Sequence, residues 1–141
     1  GPGQLVVYLL LDLRRRQLGV RRFVSLLETA IIDVLGHHGL KADRRPEAPG
    51  VYVGEAKIAA LGLRVRSGCC YHGMSLNIDL DLAPFSWIDP CGYAGLTVTS
   101  VVEQGVTTSI ELIQLSVLRE LQSGLGFRTM MKSKELPRQV A

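Results

Sequence analysis

The sequence predicts an α+β domain: a mixed or antiparallel sheet with helices packed on it. Three observations carry that expectation. Apolar residues recur at helical spacing from residue 20 to 36 and again from about 107 to 121, and between them lie three short extended runs joined by turn-like pairs. Helices flanking consecutive hairpins do not follow the strand–helix alternation of a parallel fold.

Residues 5–11, LVVYLLL, are continuously apolar, and Val6, Val7 and Tyr8 favour an extended backbone, so a buried strand is expected there, closed by Asp12. From Val20 onward Phe23, Val24, Leu27, Ile31 and Val34 trace one helical face, and Gly36 and Gly39 are expected to stop it. Residues 41–49 are polar and hold Pro46 and Pro49, which predicts a loop. Residues 50–53, 57–66 and 69–82 read as a meander through turns at Gly54-Glu55 and Ser67-Gly68. Residues 84–88 suggest one helical turn ahead of Pro90-Cys91-Gly92. Thr107 or Thr108 can cap a last helix running to about Leu121, with Ile110, Leu112, Ile113, Leu115, Val117, Leu118 and Leu121 as its apolar face. The expected organisation is a single domain over residues 1–125 and a polar tail over 126–141.

At 141 residues and 15.4 kDa the chain suits one core. Its 47% hydrophobic content and mean hydropathy of +0.21 prompt a search for a membrane span, but the longest uninterrupted apolar run is residues 5–11, far short of the roughly 20 residues a spanning helix needs. The expectation is no membrane partner. The first residues, GPGQLVVY, lack an initiator Met, a basic segment and a cleavage site, so the chain is expected to start inside a longer protein. Three cysteines, an odd number, do not suggest a disulfide framework, and a reducing cytoplasm is expected. A net charge of +3 is mild, and Arg14-Arg15-Arg16 and Arg21-Arg22 read as a solvated face or a local basic surface for an acidic partner. The absence of a recognition motif and only 6% aromatics argue against nucleic acid.

Cys91 is the first candidate for chemistry. Buried packing cysteines usually lie inside periodic apolar elements, whereas this one lies between Pro90 and Gly92. A nucleophilic thiol must be reachable and held as thiolate by a nearby charge or base, and Gly92 lets backbone amides come close; an inert loop cysteine is the alternative. Lys57 is the second, because it opens the apolar run KIAALGL. There it is either a solvent-facing lysine or a base, acid or thiolate partner. Cys69, Cys70, His72 and Cys91 invite a zinc reading, but neither a CxxC nor an HxxxH spacing occurs, so no metal is expected. His72 is a candidate polar group beside the site or a structural histidine. No GxxxxGK[ST] or GxGxxG motif supports nucleotide chemistry.

The segments GPGQLVVY, GVYVGEAKIAALGLRVR, YHGMSLNIDLDL and IDPCGYAG, in that order over residues 1 to about 100, resemble the octanoyltransferases of lipoate biosynthesis. The resemblance implies a fold shared with the biotin and lipoate protein ligase catalytic domains. It also implies transfer of octanoyl from acyl carrier protein to a lysine of lipoyl domains, those of 2-oxoacid dehydrogenases and of the glycine cleavage H protein, without a cofactor. Cys91 falls on the family's acyl-thioester cysteine and Lys57 on the lysine that lowers that thiol's pKa. Ala60, Leu61 and Gly62, with Gly73, Met74 and Ser75, fall on two stretches lining the acyl site. The family's RGGxxTYH motif directly precedes GPGQ, so the resemblance implies a domain lacking its N-terminal part. An ATP-dependent lipoate or biotin ligase relative, or an inactive carrier-protein-binding fragment, are the alternatives.

Overall fold

A computed structural model describes residues 2–84 and 95–129, and the backbone alone of His72. Its strands are β1 (Gln4–Tyr8), β2 (Leu11–Asp12), β3 (Asp43–Arg45), β4 (Ala48–Val53), β5 (Ala56–Arg66) and β6 (Cys69–Asn77), and its helices are α1 (Val20–His37) and α2 (Ile110–Leu125). The strands form one sheet in the order β1-β6-β5-β4-β3, with β2 continuing β1 along β6, and every pairing between them is antiparallel. The expected α+β architecture is therefore present in its antiparallel form.

Alternation along the strands gives the sheet two unlike faces. Leu5, Val7, Ala59, Leu61, Met74, Leu76 and Val51 point to one side, where they meet Phe23, Leu27, Ile31, Val34 and Leu35 of α1 and Ile113, Val117, Leu121 and Leu125 of α2. Phe23, Leu27 and Ile31 are wholly buried, and each such side chain contributes roughly 1.5–3 kcal/mol by leaving water. The other face bears Val6, Tyr8, Ala60, Gly62, Gly73 and Ser75. Val6 and Tyr8 are exposed there.

Several local expectations need correction. The apolar run at residues 5–11 is two strands, β1 and β2, which keep one register along β6 across a break at Leu9 and Leu10. Residues 41–49 are not a loop: Asp43 pairs with Tyr52 and Arg45 with Ala48, making an edge hairpin that accepts Pro49 because its fixed φ suits extended backbone. Gly36 lies inside α1, which ends at His37. The run 69–82 stops as a strand at Asn77, where Ile78 and Asp79 N–H groups both donate to the Gly3 carbonyl. Ser109, not Thr107 or Thr108, caps α2, its Oγ accepting from the Leu112 N–H at 3.3 Å. That helix continues to Leu125 and closes at Gly126 in the left-handed conformation, φ 71°. Leu112 and Leu115, expected on its apolar face, are exposed. The proposed turn at 84–88 falls mostly, and the tail beyond 129 wholly, outside the described residues. Among the described residues no helix is long and apolar enough to cross a membrane.

Candidate functional site

Ala60, Leu61 and Gly62 of β5 lie in register with Ser75, Met74 and Gly73 of β6, and these with Val6, Val7 and Tyr8 of β1. All six predicted lining residues thus meet, with β1 as a third wall, around one shallow cavity of about 230 Å³. On the open side its floor consists of Ala60, Gly62, Gly73 and Ser75, whose small side chains leave a trough between larger neighbours. A larger cavity, about 510 Å³, lies on the helix side among Gly36, His37, Leu40 and Glu120, away from these residues.

Lys57 reaches the trough's face through a β-bulge. Val51 pairs with Ala59 and Tyr52 with Lys57, so Ile58 is an extra residue on β5. Without it, Lys57 would share the helix-facing side of Ala59 and Leu61. The side on which Tyr52 lies follows from β3. Arg44 reaches back to Thr29 Oγ1 at 2.6 Å and to the Ser25 hydroxyl on α1, while Arg45, the next residue, lies over the Tyr52 ring at 4.2 Å from its centroid. Neighbouring strand residues point oppositely, so Arg45, Tyr52 and Lys57 occupy the side away from α1.

In the sheet Lys57 stands between Tyr52 and residues 97–99. Its N–H donates to the Thr97 carbonyl at 2.8 Å, and its own carbonyl accepts from the Thr99 N–H at 3.0 Å. The residue is 8% exposed, with the ammonium 5.5 Å from the Tyr52 ring centroid. Among the described residues no carboxylate lies within ion-pair distance of it. Gly50, at φ +143°, makes room for it: a Cβ there would fall 2.7 Å from Lys57 Cε. The Gly50 N–H in turn donates to Glu28 Oε1 at 3.1 Å, and Glu28, buried on α1, has Arg44 at 3.8 Å.

The cysteines separate as their parities require. Cys69 is exposed, whereas Cys70 is in the core with 1% exposure, where burial pushes its thiol pKa up. Among the described residues no group of three His, Cys, Asp or Glu side chains could hold a metal ion. Cys91 and the His72 side chain lie outside what is described; the His72 backbone pairs with Leu63 beside Gly73. Sequence reasoning did not single out Tyr52, Gly50 or the β1 wall. A tyrosine in the run VYV was a visible signal, but the bulge that brings Lys57 to it was not.

This fold is that of the biotin and lipoate protein ligase catalytic domains. The chain overlays on biotin protein ligase from Aquifex aeolicus with a TM-score of 0.71 at 16% identity, covering 88% of this chain and 53% of that one. It overlays on the bi-partite lipoate protein ligase structure from Thermoplasma acidophilum with a TM-score of 0.68 at 21% identity, covering 94% and 56%. Within that class the chain belongs to the Lipoyl protein ligase A/B catalytic domain family, which it matches over residues 1–122. It is 58% identical over 121 residues to an octanoyltransferase of Azoarcus sp. (strain BH72), covering 86% of this chain and 53% of that protein. It is 64% identical over 98 residues to an octanoyltransferase of Dechloromonas aromatica (strain RCB), covering 70% and 48%. The chain spans about half the length of the curated relatives it matches.

Proposed function

We propose that this protein is an octanoyltransferase of protein lipoylation, acting in the cytoplasm through a thioester on Cys91. The Cys91 thiolate attacks the carbonyl of octanoyl-acyl carrier protein, and the carrier's thiol leaves with a proton from Lys57. A lysine amine of a lipoyl domain, on a 2-oxoacid dehydrogenase or the glycine cleavage H protein, then attacks the Cys91 thioester. Lys57 takes its proton, the amide forms and the cysteine is released. Thioester exchange is nearly balanced and amide formation downhill, so no ATP is required.

The observation that carries this reading is the bulge at Ile58, which turns Lys57, buried there, to the side of the sheet that bears the trough of Ala60, Gly62, Gly73 and Ser75. An acyl chain in that trough would share its side of the sheet with the Lys57 ammonium. Curated relatives at 58% and 64% identity, which are octanoyltransferases, support the reading. Lys57 as proton carrier, Cys91 as nucleophile and Ala60, Leu61, Gly62, Gly73, Met74 and Ser75 as the lining of the acyl site all belong to this proposal.

The test is octanoyl transfer from octanoyl-carrier protein to an isolated lipoyl domain, followed by intact mass with and without ATP. The expected result is an octanoyl adduct on the protein and octanoylated lipoyl domain, both independent of ATP. An adduct that forms only from free octanoate with ATP would replace the proposal with a ligase. A complex with carrier protein that never yields adduct would replace it with a binding module.

A further inference from the structure

A lysine with 8% exposure ordinarily needs a carboxylate or several acceptors to offset the loss of water around its charge. Lys57 has neither among the described residues. The nearby charges are committed elsewhere: Glu28 accepts from the Gly50 N–H and faces Arg44, and Glu55 pairs with Arg45 at 2.9 Å. What meets the ammonium is the ring of Tyr52, its cross-strand partner, at 5.5 Å. That distance lies within the range at which a cation is attracted to an aromatic face.

We propose that Tyr52 is a positioning residue for the transfer reaction, holding the Lys57 ammonium on the trough's side of the sheet through the face of its ring. This rests on the reading of Lys57 as the partner of an acyl-carrying thiol. A ring suits that task where a carboxylate does not. A carboxylate at ion-pair distance would cancel the charge offered to a neighbouring thiolate and would compete for the proton. The quadrupole of a ring attracts the cation yet accepts no proton and leaves the net charge in place. Two other features of β4 serve the same geometry. The Tyr52 hydroxyl donates to the Ala48 carbonyl at 3.0 Å, fixing the ring from its far end, and Gly50 supplies the space that Lys57 Cε fills. Arg45 shares the ring at 4.2 Å, but its charge is offset by Glu55.

The experiment follows the pH midpoint of iodoacetamide alkylation at Cys91, resolved by peptide mass, in wild type, Lys57→Ala, Tyr52→Phe and Tyr52→Leu. Lys57→Ala should raise the midpoint toward the free-thiol value of about 8.5. Tyr52→Leu should raise it by roughly 0.4 unit or more, a two- to threefold fall in thiolate below the midpoint, while Tyr52→Phe, which keeps the ring, stays near wild type. If Tyr52→Leu does not fold, progressively fluorinated phenylalanines at position 52 weaken the ring face at nearly constant shape, and the midpoint should climb with each fluorine. A flat fluorine series, or a wild-type midpoint in folded Tyr52→Leu, overturns the proposal while leaving Lys57 its role. An unchanged midpoint in Lys57→Ala overturns the role of Lys57 itself, and with it the proposal.

Discussion

Gly62 and Gly73 are cross-strand partners on one face of the sheet, yet adding a methyl group should have opposite consequences at the two. At Gly73 a Cβ would collide with the carbonyl of Val7, which is backbone and cannot rotate aside. β1 would have to lift from β6, straining the ladder from Gln4 to Tyr8. Overpacking costs about 1–3 kcal/mol and a weakened ladder bond about 1 kcal/mol more, so Gly73→Ala should lose roughly 2–4 kcal/mol. At Gly62 a Cβ meets nothing within 4 Å, and alanine in a strand gains about 0.5–1 kcal/mol over glycine. Gly62→Ala should therefore match or exceed wild type in stability while filling the trough and slowing octanoyl loading. Urea unfolding followed by circular dichroism reads the first effect. With a slope of about 2 kcal/mol per molar, the Gly73→Ala midpoint should fall by about 1–2 M. Equal midpoints for the two variants, or an unstable Gly62→Ala, would refute the close approach of β1 and the openness of the trough.

Other consequences follow from the same packing. Glu28→Ala leaves the buried Gly50 N–H without its acceptor and should destabilise by about 1–3 kcal/mol, whereas Glu28→Gln keeps an oxygen at that place and should recover most of the loss in the same urea assay. Ser109→Ala removes the α2 cap and should cost about 1 kcal/mol, with Thr108→Val near neutral because the Thr108 hydroxyl is buried without a hydrogen-bond partner among the described residues. The Cys70 thiol has a raised pKa in the fold, so its neutral form is favoured there and its contribution is whole below the unfolded value of about 8.5. As pH rises past that value the unfolded chain gives up the proton first and stability drains away. Comparing wild type with Cys70→Ala at pH 7 and pH 9.5 should show wild type losing more; parallel losses would contradict the burial of that thiol.

The periodic elements were legible because each buries a whole face: Phe23, Leu27, Ile31 and Val34 announce α1, and the Ser67-Gly68 pair announces the β5–β6 turn. The pairing of KIAALGL with YHGMS was legible in the Ser67-Gly68 turn, whereas a substrate role for these residues came only through the family resemblance. The bulge at Ile58 was hidden because one extra apolar residue in an apolar run changes no pattern, yet it decides which face Lys57 takes. The β3–β4 hairpin was hidden by its two prolines, whose usual meaning is a loop; here Pro46 lies in the turn and Pro49 in a strand beside an irregular register. Ser109 was passed over for its threonine neighbours because capping depends on backbone angles that Thr107, Thr108 and Ser109 could each have supplied.

One thiol, Cys91, is proposed to carry the acyl group. The direct measurement is a single incubation with octanoyl-carrier protein, quenched in acid, digested and mapped by mass spectrometry before and after hydroxylamine. The expected result is a hydroxylamine-labile octanoyl group on the peptide containing Cys91, absent from Cys91→Ala and retained in Cys69→Ala and Cys70→Ala. A label on Cys69 or Cys70, or one that survives hydroxylamine on another residue, would contradict it.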